Sequence, residues 1–119
     1  MIPRDEVLER IVNYQRAKAK RQTLSDVVDF LEKHSGKLER QIREVSRKCE
    51  KLQHSGKCIQ AYHKTLTHLE GLRHQHIHTL ELQKELLERK LDAGKMVEVA
   101  EEEFETAAQR FKAETSQEG

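Results

Sequence analysis

The first half of the chain carries apolar residues at alternating steps of four and three. The row covers nine positions, and one of them is polar: Leu24, Val28, Leu31, Ser35, Leu38, Ile42, Val45, Cys49 and Leu52. An average step of 3.5 residues is the period of a coiled-coil seam. Pro3 suits a first helical position, and Asp5 and Glu6 follow where acidic side chains complement the helix dipole. The pattern predicts a helix over residues 3–53.

The second half repeats this pattern in two runs. The first run comprises Ile59, Tyr62, Leu66, Leu69, Arg73, His76, Leu80, Gln83 and Leu87. The second run comprises Val97, Ala100, Phe104, Ala107 and Phe111, after a slip in phase between Leu91 and Val97. These runs predict a second helix over residues 58–114. The polar residues 115–119 are expected to fray at the chain end.

A turn is predicted between the two helices, at residues 54–57. Gly56 can adopt a positive φ and end the first helix, and Ser55 can cap or turn the chain. A similar tetrapeptide occurs at residues 34–37, but the apolar repeat continues across it in phase. We therefore place Gly36 inside the first helix. A three-helix bundle with breaks at Gly36 and Gly94 remains the alternative.

An antiparallel pairing requires that the numbers of facing residues add to a constant. With the turn centred at 55.5, that constant is 111, which pairs Leu52 with Ile59 and also pairs Tyr14 with Val97. Ser35 then faces His76 in a polar middle section of the kind that can fix register. The expected fold is all-α: one long antiparallel two-helix coiled-coil hairpin, forming a single domain over residues 1–119.

The composition excludes several classes of function. Charged residues make up 36% of the chain and aromatic residues 4%, so little can be buried in a compact interior. A net charge of +1 argues against nucleic acid as a partner. No apolar run approaches the roughly 20 residues that span a bilayer, so direct membrane insertion is not expected. These features favour a cytoplasmic protein that binds other proteins.

The sequence offers no convincing catalytic, cofactor or metal site. His74 and His78 share a helix face, but no Cys or carboxylate completes a zinc site at a familiar spacing. Cys49 and Cys58 are expected to remain reduced, and a two-helix rod has no pocket to activate either thiol. The chain also lacks a phosphate-binding loop. We expect no enzyme activity, no cofactor, no metal and no small-molecule substrate.

A basic segment, residues 16–21, is the most informative charge cluster. It contains four cations in six residues: Arg16, Lys18, Lys20 and Arg21. Such a cluster is either a solubilising helix face or an electrostatic contact for an acidic protein surface. The acidic residues Glu101, Glu102, Glu103 and Glu105 lie in the second helix, where they can pair with Arg4 and Arg10.

The layout resembles the central-stalk family of flagellar and type III secretion ATPases, the FliJ/YscO/SctO-like proteins. The likeness lies in a small, charged chain with two long helices, a central turn and an apolar-then-basic start at residues 7–21, VLERIVNYQRAKAKR. The resemblance implies a stalk, located in the cytoplasm beside the inner-membrane export apparatus, that inserts into a hexameric secretion ATPase and activates it.

The resemblance also assigns binding roles within the chain. The ATPase-binding residues would be Tyr14, Arg16, Lys18, Lys20 and Arg21. The residues at the hairpin tip, Leu52, Ile59 and Tyr62, would bind the export gate protein and secretion chaperones. The alternative function is a homo-oligomeric coiled-coil tether or adaptor in an unrelated complex.

Overall fold

The computed structural model describes the backbone of residues 4–118 and the side chains of residues 4–116. It contains two helices, α1 over Arg4–Ser55 and α2 over Ile59–Glu118. The chain is an all-α antiparallel two-helix hairpin, which confirms the predicted fold class. The predicted helix start at Pro3 lies outside the described residues, as does Gly119.

The turn between the helices covers residues 56–58, so it begins two residues later and ends one residue later than the predicted turn at residues 54–57. Gly56 has φ of 62° and donates its backbone N–H to the Leu52 carbonyl at 3.3 Å, which ends α1 with a left-handed glycine. The Ser55 hydroxyl also donates to the Leu52 carbonyl, at 3.1 Å. The Cys58 carbonyl accepts the Tyr62 N–H at 3.1 Å and so begins the hydrogen bonding of α2.

Both helices continue through the two glycines at which the three-helix alternative placed breaks. α1 includes Gly36 and α2 includes Gly94, so the three-helix alternative is wrong. α2 also extends beyond residue 114 to Glu118, and Thr115 donates its hydroxyl to the Phe111 carbonyl at 2.8 Å. The predicted helix end at residue 114 is therefore four residues too early, and the fraying of residues 115–119 stays a prediction.

The chain consists of two compact units. The terminal unit consists of Met1–Asp26 and Leu86–Gly119, and the turn unit consists of Val27–Glu85. Each unit packs a segment of α1 against a segment of α2. The nine seam positions predicted for α1 are all buried or half-buried, with Val28 and Leu38 among the least exposed, so the predicted seam of α1 is correct.

The seam of α2 in the turn unit differs from the prediction. Leu72 and Thr79 are buried, whereas Arg73 and Leu80 are exposed. Burying Leu72 avoids removing the charged guanidinium of Arg73 from water, and residues seven apart share a helix face, so the same choice brings Thr79 inward. The Thr79 hydroxyl donates to the Gln75 carbonyl at 2.8 Å, so its burial leaves no unpaired donor.

The seam of α2 in the terminal unit is regular. Its buried and half-buried positions alternate in steps of four and three: Leu86, Lys90, Ala93, Val97, Ala100, Phe104, Ala107 and Phe111. The phase slip predicted between Leu91 and Val97 is absent, and the change of phase lies between Leu69 and His76 instead. Ala93, Ala100 and Ala107 recur every seven residues, which leaves space for larger side chains of α1 to pack against α2.

The contacts between the helices agree in part with the predicted constant of 111, because the predicted layer of Ser35 with His76 is present, with 3.2 Å between the Ser35 hydroxyl and His76 Nε2. In the turn unit, His76 contacts Ser35 and Glu39, and these residue numbers add to 111 and 115. In the terminal unit, the pairs Arg10–Glu103 and Tyr14–Phe104 add to 113 and 118. The four sums lie between 111 and 118, so one contact has the predicted sum and the other three exceed it. The Tyr14 ring stacks on Phe104, which lies seven residues beyond its predicted partner Val97.

Candidate protein-interaction surfaces

The basic segment lies on α1 of the terminal unit. All four of its cations are exposed: Arg16, Lys18, Lys20 and Arg21. Arg16 and Lys20 are four residues apart and share one face of the helix, whereas Lys18 and Arg21 point in other directions. The cations are therefore distributed around α1 and do not form one flat patch.

Tyr14 is engaged within the terminal unit. Its ring stacks on Phe104 with centroids 6.1 Å apart and an angle of 14° between the planes. The Lys18 ammonium lies 4.9 Å from the centroid of the Tyr14 ring, a cation–π contact of about 0.5–1 kcal/mol at an exposed site. Tyr14 thus helps to join α1 to α2, and it orients one cation of the basic segment.

An ion pair connects the two helices near the basic segment. Arg10 donates to the Glu103 carboxylate at 2.7 Å, and its guanidinium also lies 3.8 Å from Glu6. The expected pairing of Arg10 with the acidic run of α2 is therefore correct. Because both side chains of the Arg10–Glu103 pair are more than a third exposed, the pair contributes about 0.2–1 kcal/mol.

An apolar groove in the terminal unit was not found from the sequence. It has a volume of about 370 Å³ and is lined by Ala17, Lys95, Met96, Val99, Ala100 and Glu103. Met96 is 61% exposed and Val99 55% exposed, although both are large apolar side chains. The sequence feature that could have predicted this groove is the spacing of Met96 and Val99. The two residues are three apart and lie outside the seam, which places them together on one exposed helix face.

The hairpin tip brings the three predicted tip residues together. Leu52, Ile59 and Tyr62 line a shallow groove of about 220 Å³ beside Gly56 and Cys58. Ile59 is 69% exposed, whereas Leu52 and Tyr62 are half-buried. The tip therefore presents an apolar surface to solvent.

Both cysteines are free thiols in the structure. Cys49 is buried in the seam and Cys58 is exposed at the tip.

His74 and His78 are exposed, and His78 lies 3.8 Å from Glu81. In the described part of the chain, no three His, Cys, Asp or Glu side chains are grouped so that they could hold a metal ion.

The fold and these surfaces define the chain as an antiparallel coiled-coil hairpin with charged and apolar surfaces exposed to solvent. Neither described helix has an apolar stretch long enough to cross a bilayer. Comparison with known proteins gives no match to a family model, a curated protein or a solved structure.

Proposed function

We propose that the protein is a non-catalytic coiled-coil stalk of a bacterial type III secretion system. In this proposal the terminal unit enters the pore of a hexameric secretion ATPase and activates it, while the ATPase supplies all nucleotide chemistry. The chain works in the cytoplasm, peripheral to the inner-membrane export apparatus. The observation that carries the proposal is the exposed basic segment on α1 of the terminal unit.

The arrangement of the basic segment supports binding inside an acidic ring. Its four cations point in several directions around α1, which suits a partner that surrounds the helix more than one that meets a single face. Lys18 is oriented by the Tyr14 ring at 4.9 Å, so one of the cations is held in place before binding. Charges of this kind increase the association rate and fix orientation more than they increase affinity.

The turn unit has the second role in the proposal. The apolar groove formed by Leu52, Ile59 and Tyr62 binds the export gate protein and secretion chaperones. Ile59 is the most exposed of the three and loses the most apolar surface on binding. Burial of such a side chain stabilises a complex by about 1.5–3 kcal/mol.

The experiment is a charge reversal assayed with the secretion ATPase of the same organism. Every cation of the basic segment is replaced by Glu, in Arg16→Glu, Lys18→Glu, Lys20→Glu and Arg21→Glu. We expect wild-type protein to stimulate ATP hydrolysis at low salt and the variant to lose that stimulation. Because exposed charges are screened within about 8 Å at physiological ionic strength, wild-type stimulation should also decrease with salt.

A matched control reverses four exposed cations of α1 in the turn unit. These residues are Arg43, Arg47, Lys48 and Lys51. The control has the same change in net charge as the test variant, so a general repulsion between acidic proteins would affect both. Unchanged stimulation by the basic-segment variant, or equal loss in the control, would exclude electrostatic docking through residues 16–21.

The alternative, a homo-oligomeric tether in an unrelated complex, is favoured by the exposure of Met96 and Val99 on α2. A tether binds through its apolar surfaces and does not affect ATP hydrolysis. Wild-type protein that binds no secretion ATPase at low salt would therefore favour the tether over the stalk.

A further inference from the structure

We propose that the apolar groove of the terminal unit binds the same groove of a second copy, in an antiparallel dimer with its two-fold axis at Val99. The groove and all residues used below belong to the terminal unit. The inference does not rest on the proposed function, because it uses only the apolar groove and its charges, although a dimer formed there competes with ATPase binding through the adjoining basic segment.

The groove has the side chains of a helix-packing surface. Met96 and Val99 are large, apolar and more than half exposed, and Ala17 and Ala100 at the same groove are small. Small side chains allow a second helix to approach closely, and the exposed methionine can adapt to the shape of its partner. Removing the apolar side chains from water supplies the driving force.

The charges of the groove favour a second copy in one orientation. Lys95 and Glu103 both line the groove, four residues before and four residues after Val99. In an antiparallel pair of α2 helices centred on Val99, Lys95 of each copy faces Glu103 of the other copy. A parallel pair would place Lys95 against Lys95 and Glu103 against Glu103, which is repulsive at both positions. The surface is thus complementary to itself in the way that a two-fold interface requires.

The existing contact of Glu103 is compatible with this interface. Glu103 accepts a hydrogen bond from Arg10 at 2.7 Å, but its side chain remains 49% exposed. A carboxylate has two oxygens and about four acceptor positions, so it can accept Lys95 of the second copy as well. The result is a network of Arg10, Glu103 and the facing Lys95 on each side of the axis.

The size of the contact sets the expected affinity. Fifteen residues of α2 around Val99 extend about 22 Å, and a helix is about 10 Å wide, so each copy contributes a patch of a few hundred square ångströms. Stable interfaces bury about 800 Å² on each partner. We therefore expect a weak dimer with a Kd on the order of 100 µM.

The first experiment is sedimentation equilibrium under reducing conditions, up to several times the expected Kd. Val99→Glu should weaken dimerisation at least about tenfold, because the two-fold axis brings two carboxylates together. Leu91→Glu is the matched control, since Leu91 is 69% exposed on α2 of the same unit but does not line the groove. A wild-type chain that stays monomeric, or a Leu91→Glu variant that dissociates equally, would overturn the proposal. Circular dichroism confirms that the helices remain folded.

The second experiment tests the orientation by disulfide trapping. In a Cys58→Ser background, a Lys95→Cys chain is mixed with a Glu103→Cys chain of different size and oxidised mildly. An antiparallel dimer gives mainly the mixed disulfide between the two chains. If each variant instead links mainly to itself, the antiparallel orientation is wrong. Neither experiment contains an ATPase, so failure here is distinguishable from failure of the proposed function.

Discussion

The phase of the α2 seam in the turn unit can be tested with two leucines of the same helix. The sequence pattern places Leu80 in the seam, whereas the structure buries Leu72 at 7% exposure and leaves Leu80 44% exposed. Leu72→Ala and Leu80→Ala are the same chemical change, eight residues apart. Their relative cost therefore reports which face of α2 is packed against α1.

The expected costs follow from the buried fraction of each side chain. Leu→Ala removes three carbon groups, worth about 2.4 kcal/mol of transfer free energy when fully buried. Scaling by burial gives about 2.2 kcal/mol for Leu72 and about 1.3 kcal/mol for Leu80. Leu72→Ala also leaves a cavity that adds roughly 1 kcal/mol, whereas water fills the space at an exposed site. We expect losses of about 3 and about 1 kcal/mol.

Urea unfolding followed by circular dichroism measures both losses. With a slope of about 2 kcal/mol per molar urea, the midpoint should fall by about 1.5 M for Leu72→Ala and by about 0.5 M for Leu80→Ala. Leu69→Ala is the positive control, because both phases bury Leu69 and it is 3% exposed. Equal losses for Leu72 and Leu80, or a larger loss for Leu80, would refute the observed phase.

Two further predictions concern the turn and the polar layer. Gly56→Ala should cost about 1–2 kcal/mol, because φ is 62° while nothing lies within 4 Å of the added Cβ. Gly36 lies inside α1 and also has space for a Cβ, so Gly36→Ala should instead raise the free energy of unfolding, measured in urea, by up to about 1 kcal/mol. A change of opposite sign would contradict the turn at Gly56 or the continuous helix at Gly36. Ser35 and His76, 3.2 Å apart, should show a coupling of about 0.5–1.5 kcal/mol in a double-mutant cycle of alanine substitutions, whereas strict additivity would exclude a stabilising hydrogen bond.

The terminal unit combines the basic segment with the apolar groove. Ala17 lines the groove and lies between Arg16 and Lys18 in the basic segment. A second copy bound in the groove would cover part of the surface proposed to bind the ATPase. The two proposals therefore describe competing contacts, and dimerisation would reduce the concentration of chain that is free to bind.

The predicted site residues differ in how far the sequence could place them. Leu52, Ile59 and Tyr62 flank the turn, so locating the turn was enough to bring them together. The environment of Tyr14 depends instead on the pairing of the helices. The predicted register paired Tyr14 with Val97, whereas its ring stacks on Phe104, seven residues further along the same face of α2.

The apolar groove was missed for a related reason. Met96 and Val99 lie on a face of α2 outside the seam, and single exposed apolar residues are common on protein surfaces. Their significance becomes visible only when Ala17 of α1 is placed beside them. That placement depends on contacts between residues far apart in the chain.

The sequence by itself determined the two helices, the glycine that ends α1 and the seam of α1 from Leu24 to Leu52. Helix formation and a left-handed glycine depend on residues within a few positions, and the α1 seam has one apolar row that is clearly better than its neighbours. Only the tertiary structure decided the pairing of the helices and the phase of α2. A heptad repeat fits several registers, and α2 carries two competing rows of leucines. The phase of α2 depends on packing against α1. The observed phase keeps Arg73 in water and buries Leu72, and the buried Thr79 hydroxyl is hydrogen-bonded within the helix.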